Sequence, residues 1–380
     1  MKLYILVFVL LISVFLFFLI FSQCAMGNNK DSQTDNRKLY YWEPTASSPK
    51  KNPVEREDVS YFFENGSSLS VFGSNIMGSG MGWSKCDADY GPDWKVELPT
   101  AVGAKWISFA ERKAYVVYED LPVDQLKTLF ENGYESFDSD GNPERGEYNE
   151  LCLCLLPGGE VVLFVCGDRR TILLDWSAQG EWTQNFDLFD HEGSDSKTLE
   201  EYIENDIKSN PFLNVPQVVT PELLHKYFER FNYKIKVRFE DDKSVLRWFN
   251  YEYSNSEVSI AYFRDEDSSI KYPSRMKYFR TIWRVNDYQY IAYFYFNEEE
   301  VIRVFDEAYG DDRKQSGVLD IFVSKYNNLF EISLTVNGKK YLFEKTEIRV
   351  FRDPLSDLSG ESELVYKNYE GENKNVFIGE

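Results

Sequence analysis

Histidine is almost absent from this chain, which has only His191 and His225 among its 380 residues. Ser-His-Asp and Cys-His catalytic centres need a histidine base, and neither histidine lies in a recognisable motif. The sequence also lacks GxSxG, HExxH and CxxC, which are typical of serine hydrolases, zinc proteases and dithiol redox sites. The sequence therefore predicts no catalytic residues, no metal site and no cofactor.

Basic residues are in the minority, with 42 Lys and Arg against 63 Asp and Glu and a net charge of −21. An acidic field repels phosphate backbones, which argues against nucleic acid and favours neutral or basic partners. Acidity that serves only solubility is the alternative interpretation. Phe and Tyr are abundant, at 29 and 26 residues, and this composition indicates a β-rich globular body.

One long apolar run begins the chain, because Ser13 is the single polar residue in Leu3–Phe21. Its length suits a retained membrane anchor better than an ordinary signal peptide. The segment Phe21–Cys24 (FSQC) nevertheless resembles a bacterial lipobox, in which cleavage before Cys24 leaves its thiol to carry lipid. Gln23 departs from that pattern, where Gly, Ala or Ser is usual. A lipoprotein and an uncleaved anchor both place the body in the cell envelope, facing the periplasm or the exterior.

The remaining cysteines would lie in a compartment where disulfides form. Cys152 and Cys154 alternate with leucines, as small apolar residues on one face of a strand do. If the following turn has three residues, Cys152 lies opposite Cys166. The sequence thus predicts either a Cys152–Cys166 disulfide or free, buried thiols.

Changes in composition divide the chain into five segments. A leader (1–23) and a polar tether (24–38) precede two β-rich domains (39–218 and 219–352), and an acidic tail (353–380) ends the chain. The tether and the tail have the polar composition of disordered segments. A length of 380 residues agrees with two domains.

The two predicted domains share a pattern of apolar residues. Trp106 precedes Tyr118 by 12 residues, and Trp283 precedes Tyr295 by the same distance. A helical stripe and two alternating strands follow in each domain; the stripes are Leu126, Leu129, Phe130 and Tyr134, then Val301, Val304, Phe305 and Tyr309. We interpret the pattern as two copies of one βαββ unit, with chance similarity as the alternative. The predicted fold class is α+β: mainly antiparallel sheets, one packed helix per unit and two related β-rich domains.

Several motifs of the first domain resemble a known family. They are Tyr41-Trp42, the W-x-S-x-x-E-x-K-x-Y pattern of Trp106–Tyr115, the helix after Leu121-Pro122, the Gly158-Gly159 hairpin and Tyr227–Tyr233 (YFERFNY). Over about residues 39–240 the chain is similar to the bacterial domain-of-unknown-function family 2931, whose members are commonly described as lipoproteins. The resemblance implies an envelope location and a β-rich fold. It supplies no activity and no catalytic residues.

The candidate interaction surface comprises Trp106, Ser108, Glu111 and Lys113, because Glu111 and Lys113 share one face of a predicted strand. The leading hypothesis is an envelope lipoprotein that acts by binding. One alternative is an immunity-type protein that neutralises a basic toxin through charge complementarity. Another is a hydrolase that acts on envelope glycan or lipid through carboxylates. The predicted partners are the membrane, through the lipid anchor or leader, and a basic protein.

Overall fold

The computed structural model describes residues 38–72, 76–78, 83, 94–137, 142–173, 177–189, 195–216, 218–262, 266–267, 270–356, 358 and 362–379. The leader, Cys24 and all of the tether except Lys38 lie outside this part. Leu39–Glu380 form one compact unit, so the predicted boundary between residues 218 and 219 falls inside it. Within the described residues, no helix has the length and apolarity needed to cross a membrane.

The first half of the body, up to residue 232, contains thirteen strands and three α-helices among the described residues. They are β1 (Glu43–Ser47), β2 (Val54–Phe62), β3 (Ser68–Ser70), β4 (Ile76–Met77), β5 (Ala101–Ser108), β6 (Lys113–Asp120), α1 (Val123–Asn132), β7 (Tyr134–Phe137), β8 (Pro143–Gly146), β9 (Glu150–Leu155), β10 (Glu160–Cys166), β11 (Arg170–Ile172), β12 (Ala178–Gln179), β13 (Glu181–Thr183), α2 (Leu199–Ser209) and α3 (Pro221–Phe228).

The second half contains eleven strands and one α-helix in the part that the structure describes. They are β14 (Tyr233–Phe239), β15 (Val245–Tyr253), β16 (Val258–Tyr262), β17 (Glu266–Asp267), β18 (Met276–Val285), β19 (Tyr288–Tyr295), α4 (Glu298–Tyr309), β20 (Gly317–Val323), β21 (Phe330–Val336), β22 (Lys339–Leu342), β23 (Glu347–Pro354) and β24 (Glu363–Lys367). Strands dominate and most pairings are antiparallel, which confirms the predicted α+β, β-rich class.

The strands form four sheets. An 11-stranded sheet has the order β1-β9-β10-β11-β16-β15-β18-β19-β23-β24, with β12 beside β10. A six-stranded sheet has the order β13-β6-β5-β2-β3, with β4 beside β2, and a five-stranded sheet has the order β17-β14-β20-β21-β22. β7 and β8 form a separate hairpin. Because β11 pairs with β16, the largest sheet draws strands from both halves.

One order of strand pairings occurs in both halves. β1 runs parallel to β9, and β14 runs parallel to β20. The antiparallel series β2-β5-β6-β13 has its counterpart in β15-β18-β19-β23. α1 follows β6 and α4 follows β19, and each helix precedes a hairpin, β9-β10 or β20-β21.

The correspondence extends to an irregularity in one strand of each half. β2 shifts register against β5 between Arg56 and Asp58, and β15 shifts against β18 between Leu246 and Trp248. A bulge bends its strand and re-aims the side chains beside it. The two halves therefore share a local distortion as well as their topology.

Each half also holds a tryptophan stacked on a cross-strand tyrosine. The ring centroids of Trp106 and Tyr115 are 5.2 Å apart, and those of Trp283 and Tyr290 are 5.4 Å apart. Tyr290 is thus the counterpart of Tyr115. The prediction that matched the tyrosines 12 residues after each tryptophan is wrong, because the β5–β6 turn is two residues longer than the β18–β19 turn.

Residues next to the helix ends account for where the helices begin and stop. α1 starts directly after Pro122 and stops at Gly133, whose φ of 59° is one that glycine adopts without strain. At the start of α2, Thr198 Oγ1 accepts a hydrogen bond from the backbone N–H of Glu201 (3.2 Å). Thr220 Oγ1 caps α3 in the same way. These caps satisfy backbone donors that have no partner within the helix.

The β9-β10 hairpin is buried on both faces. Leu153 and Leu163 on one face pack into a core with Trp106 of the six-stranded sheet. Cys154 and Phe164 on the other face belong to a second core, which continues through α3 and the sheets of the second half. Burial on both faces explains the nearly continuous apolar sequence of these two strands.

The strand register contradicts the predicted Cys152–Cys166 disulfide. β9 and β10 pair from Leu155 opposite Val161, so Cys152 lies opposite Phe164. Cys154 and Cys166 are free and buried, and burial raises the pKa of both thiols to about 12. Cys152 itself is disulfide-bonded.

We expect two free thiols in the unreduced, denatured chain when residues 1–38 are removed, and four after reduction. The shortened chain retains four cysteines, Cys86, Cys152, Cys154 and Cys166. Trp83, which lies three residues before Cys86 in the sequence, shares a core with Cys152. Thiol titration gives the count, and mass spectrometry after alkylation should locate the label on Cys154 and Cys166. Four thiols before reduction would place the bonding partner of Cys152 ahead of residue 39.

The prediction of an unstructured acidic tail from residue 353 onwards is wrong. Glu363–Lys367 form β24 at the edge of the largest sheet. Phe377 is buried, with its ring centroid 5.8 Å from that of Tyr227 in α3. A few apolar side chains thus anchor an otherwise polar segment to the core.

Candidate functional site

The structure places two residues of the predicted interaction surface in the core. Trp106 and Ser108 are both 0% exposed, so neither is available to contact a partner. Both point inward from β5, and the Trp106 ring is covered by Tyr115 and closely approached by Gly180. Lys113 is exposed and Glu111 is half-buried, so the predicted surface is reduced to these two side chains.

Glu111 links the β5–β6 turn to the β9–β10 turn through hydrogen bonds. Its Oε1 accepts a hydrogen bond from the Tyr115 hydroxyl (3.1 Å) and one from the backbone N–H of Gly158 (2.9 Å). Gly158 lies in the turn between β9 and β10 with a φ of 81°, a conformation that favours glycine. The Trp, Glu and Tyr of the W-x-S-x-x-E-x-K-x-Y pattern therefore join the β5–β6 turn to the β9–β10 turn.

We expect Glu111→Ala to lower the free energy of unfolding by about 2 kcal/mol, because two hydrogen bonds to a charged acceptor are lost. Lys113→Ala, on the neighbouring exposed side chain, should change it by less than about 0.5 kcal/mol. Urea denaturation of both variants measures the difference. Equal effects would show that Glu111 has no such structural role.

α2 covers the outer face of the six-stranded sheet. Arg112, at a φ of 55°, forms ion pairs with Glu200 (2.6 Å) and Glu204 of this helix. Tyr202 donates a hydrogen bond to Glu55 Oε1 on β2 (2.9 Å). Burial raises the pKa of Glu55 to about 7, and the neighbouring Asp206 adds to this rise.

A raised pKa means that folded Glu55 retains its proton between about pH 4.5 and 7, where the unfolded chain releases it. Stability should therefore fall across this range as pH increases. Glu55→Gln removes this loss. The free energy of unfolding of the variant minus that of the wild type should therefore rise by about 2–3 kcal/mol from pH 4.5 to pH 8. Tyr202→Phe removes a hydrogen bond that lowers this pKa, so it should extend the loss to higher pH. Urea denaturation at several pH values tests both, and parallel profiles for all three proteins would contradict the assignment.

A second sheet face carries partly exposed arginines and aromatic rings. We call it the arginine face: the side of β15, β18, β19, β23 and β24 that points away from the core. Its basic row crosses these strands in register as Asn250, Arg280, Tyr293, Arg349 and Lys367. Its apolar row, next to the basic row, is Trp248, Ile282, Ile291, Phe351 and Leu364.

The two arginines of the basic row contact rings rather than carboxylates. The Arg280 guanidinium lies 5.0 Å from the ring centroid of Trp248 and 5.1 Å from that of Tyr293. Arg349 lies 4.7 Å from the Tyr293 centroid. Among the described residues neither arginine has an ion pair, and the Nε of each is buried without a hydrogen-bond partner. Stacking restrains both guanidinium groups. Arg349 also hydrogen-bonds the Tyr295 hydroxyl, and its other terminal N–H groups remain donors.

Charge is distributed unevenly around this face. Residues 39–232 hold 16 basic and 34 acidic side chains, whereas residues 233–380, which contain the arginine face, hold 22 and 27. The acidic first half would repel an anionic partner, and the arginine face is the place where such a partner would meet positive charge.

Sequence reasoning missed the arginine face, because its sequence signal is weak. Arg280 and Arg284 (RTIWR) share one face of a strand, whereas Arg349 and Arg352 (RVFR) fall on opposite faces. Neither segment predicts that Arg280 and Arg349 lie on the same side of one sheet.

The other candidates from the sequence stay separate. His225 is exposed and contacts Glu160 at 2.9 Å, while His191 lies outside the described residues. The described part of the chain contains no group of three or more His, Cys, Asp or Glu side chains that could hold a metal ion.

Comparison with known proteins bears on the first half of the chain. Residues 27–212 match the family described as "Protein of unknown function (DUF2931)". No curated protein and no solved structure matches the chain. The matched region contains the Trp106–Tyr115 motif and ends before Tyr227–Tyr233, so the family resemblance is confirmed over a different span from the predicted one. Over residues 27–212, just under half of its length, the chain is similar to the DUF2931 family.

Proposed function

We propose that the protein is a cell-envelope lipoprotein that acts as a binding module, with the arginine face as its binding surface. The apolar leader and the lipobox-like Phe21–Cys24 segment support lipidation at Cys24. The polar tether would hold the body at the membrane surface. The two halves of the body would be copies of one unit, which their shared strand pairings support.

The unpaired arginines carry the binding proposal. A body with a large excess of carboxylates could neutralise Arg280 and Arg349, yet both contact aromatic rings instead. Arginine, tyrosine and tryptophan are the residue types that contribute most to binding energy at interfaces. A stacked guanidinium with free terminal N–H groups loses little entropy when it binds a carboxylate.

A pull-down from an envelope extract of the protein's own cells tests the binding surface. The bait is the chain without residues 1–38, and the variant is Arg280→Glu/Arg349→Glu. The control is Lys314→Glu/Lys325→Glu, which changes the charge equally at exposed lysines away from the arginine face. We expect the captured material to be retained by the control and lost by the arginine variant. Equal capture by all three baits would overturn the proposal.

Lipidation has its own test. Labelled fatty acid should enter the full-length protein and should not enter a Cys24→Ser variant. Equal labelling of both proteins, or of neither, would remove this part of the proposal.

A second candidate function is supported by the acidic first half. An immunity-type protein that blocks a basic toxin would use the excess of acidic side chains in residues 39–232. In the same pull-down, a basic protein retained by the arginine variant would favour this candidate.

A further inference from the structure

The end of the chain lies in a groove that both halves of the body line. We call residues 374–379 the C-terminal segment, and the surface that they contact the terminal groove; it is formed by the turn after β1, by α3, by the end of β19 and by the start of α4. The segment is neither helix nor strand. Phe377 and Gly379 are buried, whereas Lys374 and Val376 are exposed. The groove thus contacts the segment at alternate positions, as peptide-binding sites contact an extended ligand.

The side-chain amide of Asn375 has partners for both of its polar atoms. Nδ2 donates to the backbone carbonyls of Tyr295 (3.0 Å) and Lys345 (2.6 Å). Oδ1 accepts a hydrogen bond from Asn297 Nδ2 (3.1 Å). An aspartate would place acceptors against two carbonyl oxygens, so these contacts select asparagine.

Phe377 is the apolar anchor of the segment. It is 3% exposed and belongs to the core that contains Trp83 and Val219. Its ring centroid lies 5.8 Å from that of Tyr227 in α3. A single aromatic side chain that fills a buried site is the usual anchor of a bound peptide.

Gly379 connects the segment to the first half. Its backbone carbonyl accepts a hydrogen bond from the Lys50 N–H (2.7 Å), in the turn after β1. Its φ is 98°, and an added Cβ would lie 3.3 Å from Pro49 Cβ and 3.4 Å from Val219 Cγ2. This conformation and the close contacts require glycine.

The backbone of the segment is held by side chains rather than by a neighbouring strand. Glu347 Oε2 accepts a hydrogen bond from the Lys374 N–H (2.8 Å), and Glu298 Oε2 accepts one from the Ile378 N–H (2.7 Å). Glu370–Glu372, just before the segment, are exposed. Release of the segment would therefore break none of the strand pairings of the described sheets.

We propose that the terminal groove is a peptide-binding site for the pattern Asn-x-Phe-x-Gly, and that it also accepts the C-terminal segment when this is supplied as a separate molecule. In the intact chain the segment acts as a clasp between the two halves. The inference goes beyond the proposed function, because the arginine face takes no part in it. The paired amide, the buried ring and the position that only glycine fits make the site specific for this sequence.

Peptide exchange in the full-length chain, kept in detergent, tests the inference. A protease recognition sequence is inserted between Gly371 and Glu372, where an added side chain at Gly371 would meet open space. The folded protein is cut there in excess fluorescent peptide of residues 372–380, and fluorescence anisotropy follows binding. We expect the labelled peptide to replace the cut segment. The uncut chain should bind much less of it, because its own tethered segment has a high effective concentration.

Variant peptides test the sequence pattern. Phe377→Ala removes the buried anchor and should weaken binding at least about tenfold. Val376→Ala, at the neighbouring position that is 55% exposed, is the matched control and should change binding by no more than about twofold. Gly379→Ala should also weaken binding, because of the positive φ.

Three results would overturn the inference. They are no binding of the wild-type peptide to the cut protein, equal binding of the Phe377→Ala peptide, and equal binding to the uncut chain. Circular dichroism of the cut protein monitors folding, and unfolding in spite of excess peptide would also overturn it. None of these results bears on the pull-down that tests the arginine face.

Discussion

Arg275→Met is expected to lower the free energy of unfolding by about 3–5 kcal/mol, because it removes three hydrogen bonds, two of them to carboxylates. The Arg275 side chain is 0% exposed. Its guanidinium donates to the Lys226 carbonyl, to Glu229 (2.5 Å) and to Asp306 (2.5 Å), and it lies 4.6 Å from the ring centroid of Phe231. One side chain, directly before β18, thus contacts both the C-terminal end of α3 and α4.

Arg313 provides a matched control for Arg275. It also pairs with Glu229 (2.6 Å) and lies 5.6 Å from the Phe231 centroid, but its side chain is 44% exposed. Water replaces its contacts when it is removed, so Arg313→Met should cost no more than about 1 kcal/mol. Urea denaturation at neutral pH measures both variants. Similar losses would mean that burial does not set the contribution of Arg275.

The two stacked tryptophans should each contribute about 3–5 kcal/mol to stability, measured as the loss on replacement by alanine. Trp106 and Trp283 are fully buried and occupy equivalent places in the two halves. Removing either ring leaves a cavity beside its tyrosine, and the surrounding sheets can close it only in part. Trp182→Ala, at a position that is 54% exposed, is the control and should cost much less.

Replacement by phenylalanine should cost different amounts of stability at the two tryptophans. Trp283 Nε1 donates to Asn327 Oδ1 (2.9 Å), whereas Trp106 Nε1 has no hydrogen-bond partner among the described residues. Trp283→Phe leaves a buried amide unsatisfied and should cost about 1–3 kcal/mol more than Trp106→Phe. Thermal or urea unfolding gives the comparison, and equal costs would show that this hydrogen bond adds no net stability.

Local sequence signals are sufficient to locate the ends of the helices. Pro122, Thr198 and Thr220 mark helix starts, and Gly133 marks an end, because capping depends on side chains within a few residues of the helix terminus. The order of helix and hairpin in both halves could be predicted for the same reason.

Features that depend on register could not be predicted in this way. A shift of a few residues in the β9-β10 hairpin decides whether Cys152 lies opposite Phe164 or Cys166. The unequal turns of the two long hairpins likewise changed which tyrosine corresponds to Tyr115. A change of one or two residues in a turn changes every cross-strand residue pair of the hairpin that it connects.

The sequence by itself determined the α+β class, the helix boundaries and the family, since these follow from periodicity, capping residues and short motifs. Only the tertiary structure decided that the motif residues Trp106 and Ser108 are buried and that Arg280 and Arg349 lie on one side of the largest sheet. Alternation places a side chain on one of two faces of a strand. Which face another element covers depends on pairings between residues more than 100 positions apart, such as β1 with β9, and no local pattern records them.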